Sequence, residues 1–200
     1  MSLFFAIMML VLNFAISWFN AWAVGGVWAD SAAAGGMARA MAWAGAVMSA
    51  CGFTWCYLVV LSVIASATGI LSPHYSQVAL ELGYAIIIVP VLGSGMTIWA
   101  ESVAHAWKKR TFGSVAGAAW NTYAQVHNTY QAARLLPEVF KDLENAFGKG
   151  GDRKGKALLL VVLLVILALA SGVFTTMAII RSHARAVAQH LARNAEQVKV

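Results

Sequence analysis

The chain has 200 residues, 60% hydrophobic and only 11% charged, with a mean hydropathy of +0.72. A water-soluble domain carries about 25% charged residues, so this composition excludes one and points to an integral membrane protein. The net charge of +6 gathers near the ends of apolar stretches, where it suits topology and lipid headgroups rather than nucleic acid.

Residues 3–28 are the first expected span. The run ends in Ala21-Trp22-Ala23, which resembles a signal-peptide cleavage site. However, no Lys or Arg precedes it, and the apolar run exceeds the usual ~7–15 residues, so a retained transmembrane helix is expected. Asn13, Ser17 and Asn20 fall at i, i+4 and i+7, on one helical face. Amides are costly against lipid, so this face should meet other helices or line a pore. Trp18, Trp22 and Trp28 suit an aromatic interface belt.

The second expected span, 38–71, is longer than a ~30 Å hydrocarbon core requires at ~1.5 Å per residue. It carries small residues on one side (Gly45, Ser49, Gly52, then Ser62, Ser66, Gly69), which permit close helix packing. Cys51 and Cys56 lie in this span at a spacing unsuited to redox or zinc chemistry. The third span, 82–100, contains Pro90, Gly93, Ser94 and Gly95. Proline cannot donate to the carbonyl four residues back, and the glycines weaken the next turn, so a helix break is expected there.

Residues 101–156 are amphipathic and basic, with a helix expected over 113–136 and another from Pro137, capped at Gly148. Their aromatic residues alternate with Lys, Arg, Gln and Asn, as in helices lying along a membrane interface. The fourth span, 157–180, has no charge in 24 positions. The tail, 181–200, has no breaker and continues that helix. Its residues Ala184, Val187, Leu191, Asn194 and Val198 form a 3/4-spaced seam suited to oligomerisation.

Nine basic residues lie between spans three and four, against four in the tail (Arg181, Arg185, Arg193, Lys199). The positive-inside bias therefore places 101–156 in the cytoplasm of a plasma or inner membrane, with both termini across it. The four tail cations contradict this assignment and are outvoted.

No Asp, Glu, Lys, Arg or His lies mid-span, which disfavours a proton- or ion-coupled carrier. Glu101 and His105 are one turn apart, but a metal needs three or four converging ligands. Residues 150–156 match GxxxxGK, yet Ala157 stands where Ser or Thr is required and no strand precedes. Catalytic constellations and cofactor motifs are absent. The expected fold is an all-α membrane protein with four spans, an amphipathic cytoplasmic segment and a helical C-terminal extension. The expected function is a non-enzymatic subunit of an oligomeric assembly, a pore or a scaffold, whose partners are the bilayer, further copies of the chain and other membrane subunits. A small carrier with its site at the third-span break is the alternative, and a membrane-embedded enzyme ranks third.

Overall fold

The computed structural model describes residues 3–29, 36–148 and 152–197, and the regular structure among them is α-helical. Five helices occur in order: α1 (Leu3–Ala29), α2 (Gly36–Ala67), α3 (Pro73–Lys109), α4 (Phe112–Phe147) and α5 (Asp152–Gln197). Of these, α1, α2, α3 and α5 are long and apolar enough to cross a membrane.

Short, well-capped turns join the central helices. After α2, Gly69 takes φ +72, a left-handed conformation that favours glycine, and the Leu71 amide returns to the Ala65 carbonyl at 3.0 Å. Ser72 then caps α3 by accepting the Tyr75 amide, and Pro73 fills the first helical turn. At the far end of α3, Arg110 is left-handed (φ 49) and its amide donates to the Ala106 carbonyl at 2.9 Å. Thr111 and Ser114 form a reciprocal capping box that starts α4 at once. Two residues thus reverse the chain.

The helix directions are set by close approaches between named residues. Ser17 sits on Gly52, Val24 on Gly45, and Trp28 meets Trp43, so α1 and α2 are antiparallel. Leu58 sits on Gly83 and Trp55 meets Tyr84, which makes α3 antiparallel to α2. Gln125 covers Gly95 and Trp99 bonds Thr122, so α4 returns antiparallel along α3. In α5, Val161 and Val165 share a core with Leu58, Ala65 and Leu71, while Ile179 and Ile180 share another with Ala42 and Ala46. That sequence is antiparallel to α2, and α5 therefore runs in the same direction as α1 and α3.

This geometry gives residues 112–147 a definite course along the bundle. Because α3 and α5 run the same way, α4 must carry the chain back along the bundle between them. The Arg110–Thr111 turn lies at one end. Leu143 and Ala146, near the other end of α4, pack with Leu71, Val78, Ala79 and Val161 at the opposite end. A 36-residue helix at ~1.5 Å per residue is ~54 Å long, so the two ends of this stretch are far apart.

Two expected interruptions are also absent. α3 passes through Pro90, Gly93, Ser94 and Gly95 as one helix, and α4 passes through Pro137. Each proline removes a single backbone bond, and packing on both sides holds the helix across it. Ile87 and Ile88 are buried just before Pro90, and the Gln125 amide donates to the Leu92 carbonyl just after it, at 3.4 Å. Ala132 and Val139, both buried, flank Pro137 in the same way. α2 stops at Ala67, short of the expected Leu71, and α3 begins at Pro73, well before residue 82.

Candidate functional site

The polar stripe of α1 lies at a helix contact. Ser17 is buried, donates to the Asn13 carbonyl at 2.8 Å, and occupies the notch at Gly52, where a Cβ would overlap its hydroxyl. Asn13 and Asn20 are half-buried on either side. These three residues therefore sit together along the α1–α2 seam. Across the bundle, Gly172 of α5 makes a similar notch against Thr54 and the Ala50 carbonyl, and the Tyr57 and Thr175 hydroxyls bond at 2.9 Å. Gly45 and Gly52 of α2, Gly83 of α3 and Gly172 of α5 are the notches that let α1, α3 and α5 close around α2.

Other predicted positions scatter. Gly93 faces open space, Ser94 is half-buried, and Gly95 lies under Gln125. In the tail, Ala184 and Val187 are half-buried while Leu191 and Asn194 are exposed, and Val198 lies outside the described residues. Cys51 and Cys56 are buried free thiols. Among the described residues, no three His, Cys, Asp or Glu side chains gather as a metal site would need.

The sequence reading missed the organisation of α4. Its buried residues are Ala118, Gln125, Ala132, Val139 and Ala146, spaced by seven throughout. A strict seven-residue repeat of small side chains makes a narrow seam that lets two helices lie close along their length. This seam faces α3. Gln125 interrupts it: buried, with its amide nitrogen on the Leu92 carbonyl and its oxygen unpartnered. Trp99 Nε1 donates to Thr122 Oγ1 at 2.9 Å nearby. The repeat was present in the sequence, but the large aromatic residues around it pointed to helices lying along a membrane interface.

Those aromatic residues point outward. Trp120, Tyr123, His127, Tyr130 and Arg134 succeed one another at spacings of 3, 4, 3 and 4, on one exposed face. Trp120 is 65% exposed, and Tyr123 and Tyr130 are 62% exposed. Tyr123 bridges its neighbours, with ring centroids 6.0 Å from Trp120 and 5.8 Å from a stacked His127. The register set by Gly95–Gln125 and Trp99–Thr122 puts residues 120–138 beside 82–100 of α3. This polar aromatic stripe thus lies alongside the apolar part of the bundle.

Tryptophan marks one end of the molecule. Of eight, Trp22, Trp28, Trp43, Trp99, Trp107 and Trp120 all lie in the half that holds the Arg110–Thr111 turn. Trp28 meets Trp43 edge-on at 5.3 Å, and the α3–α4 pairing brings Trp99 and Trp120 to a similar level. Arg39, Arg181 and Arg185 stand in the same half. Trp and Arg together are what a membrane–water boundary selects.

No known protein family matches the chain, and neither does any curated protein or solved structure compared with it.

Proposed function

We propose that the chain is a non-enzymatic subunit of a homo-oligomeric membrane assembly, a pore or a scaffold, in which copies meet through the outward face of α4. The observation that carries this reading is the stripe Trp120–Tyr123–His127–Tyr130–Arg134 beside the apolar part of α3. Phenol, imidazole and guanidinium groups are costly against hydrocarbon. At that depth they call for protein or water on the outer side of α4. A second copy fits because the same helix goes on to alternate charge, Arg134, Glu138, Lys141, Glu144, so neighbouring α4 helices are complementary to one another. The carrier alternative drew on a broken third helix; α3 is continuous, and that reading is not carried forward.

The helix directions then support a topology. The chain crosses five times, α4 crossing inside the assembly, and the N-terminal end of α1 and the C-terminal end of α5 lie on opposite sides. The turn end holds Arg39, Lys108, Lys109, Arg110, Arg181, Arg185 and Arg193; the other end holds Lys141, Arg153, Lys154 and Lys156. Among the described residues, seven against four favours a cytoplasmic turn end. On this arrangement the tail cations agree with those of the turn.

Light scattering of the purified chain in detergent and in lipid nanodiscs tests the reading. The wild type is expected to be oligomeric. Replacing Tyr123, His127, Tyr130 and Arg134 by Leu is expected to yield monomers with unchanged helix content. A monomeric wild type, or an unaltered mass in the quadruple variant, overturns it.

A further inference from the structure

We infer that the outward face of α5 around Arg181 and Arg185 binds the headgroup of an anionic phospholipid. This inference rests on membrane insertion and not on association through α4.

The rotation of α5 about its axis is held by its contact with α1. A Cβ on Gly25 would lie 2.8 Å from the Ile180 carbonyl and 2.9 Å from the His183 Cβ, so only glycine admits this approach. The His183 ring stacks on Trp22, with centroids 4.2 Å apart at 18°, and its Nδ1 donates to the Trp22 carbonyl at 2.6 Å. Ile179 and Ile180 are buried on the same side. Arg181, Ser182 and Arg185 are thereby turned outward and exposed.

Along that outward face runs a shallow trough of about 500 Å³. Arg181, Arg185, Ser182 and Gln189 supply its polar end, and Phe174 and Met177 its apolar end. A second groove of about 550 Å³ between α1 and α5 shares Phe174 and Ser182 with it and adds Trp18 and Trp22. Among the described residues, no carboxylate lines either one.

The order of these groups matches a phospholipid. Two arginines one turn apart have Cβ atoms ~6 Å apart, close enough for both guanidinium forks to engage one phosphate. The hydroxyl of Ser182 and the amide of Gln189 suit a polar headgroup such as glycerol. Phe174, 77% exposed, and Trp18 offer the path an acyl chain would take toward the membrane centre. The cations sit at the tryptophan-rich end, where headgroups lie. A free phosphate would use the arginines but leave the apolar end uncovered, so the lipid is the occupant assigned.

Native mass spectrometry of the full chain, released from nanodiscs of mixed phosphatidylglycerol and phosphatidylcholine, tests this. The wild type is expected to retain phosphatidylglycerol selectively. R181Q/R185Q should lower that preference by about thirty-fold, with helix content unchanged by circular dichroism. K108Q/K109Q, which removes equal charge from the same end, should leave it intact. An equal loss in both double variants would mean diffuse surface attraction and overturn the site. So would full displacement of the lipid by inorganic phosphate, which would make it a soluble-anion site. Should R181Q/R185Q fail to fold, R181K/R185K keeps the charge but loses the fork, and an undiminished preference in it would likewise overturn the bidentate assignment.

Discussion

At the scale of single residues, the bundle depends on glycines facing larger side chains. Gly52 beneath Ser17 is the clearest case, because even one added carbon overlaps the Ser17 hydroxyl. In an open helical position Gly→Ala stabilises by about 1 kcal/mol. At residue 52 the clash outweighs that gain, and Gly52→Ala is expected to destabilise by about 1–3 kcal/mol, read as a lower midpoint in thermal unfolding in detergent. The sequence made the Asn13–Ser17–Asn20 face legible, since helical spacing alone places the three together. It did not reveal the partner. Nothing in a chain of residue types says which of many glycines lies opposite a given serine.

At the scale of elements, the α3–α4 hairpin offers a sharper comparison. Gly93 and Gly95 are two residues apart on α3, yet Gly93 faces open space and Gly95 lies under the Gln125 side chain. Gly93→Ala is expected to stabilise by up to about 1 kcal/mol. Gly95→Ala is expected to destabilise by a similar or larger amount, unless Gln125 is shortened to Ala at the same time. A double-mutant cycle on 95 and 125, measured by thermal unfolding, should give a coupling well outside additivity. Equal effects of the two glycine substitutions would contradict the packing described. The expected breaks at Pro90 and Pro137 came from local propensity, and tertiary contacts on both sides of each proline override it. The four apolar helices were legible because hydrophobic length survives any packing detail. The helical stretches of α4 and its Gly148 cap were legible too, but its packing was not, because its inward side is small and its outward side is bulky, the reverse of a soluble amphipathic helix.

At the scale of the whole molecule, direction is the quantity that a sequence leaves most open. Counting charges between spans treats everything from 101 to 156 as one side, which holds only if no helix within it returns. The return of α4 divides those charges between two ends and places 108–110 with the arginines of the α5 tail. The proposed topology has a direct test. Single cysteines at Ser114 and at Gly148, in a chain with Cys51 and Cys56 replaced by Ala, are expected to react with an impermeant thiol reagent from opposite faces of sealed, oriented vesicles. Labelling of both from the same face would refute a crossing by α4.

The tight Arg110–Thr111 reversal also bears on how such a chain reaches its membrane. α4 lacks the apolar length that allows a helix to partition into lipid by itself, whereas α3 has it. On the proposed topology α4, held to α3 by a two-residue turn, enters as the second limb of a hairpin, once α3 offers Gly95 to Gln125. On the proposed topology, insertion of the middle of the chain is therefore a paired event. During synthesis the ribosome must deliver all of α4 before α5 can take its final direction.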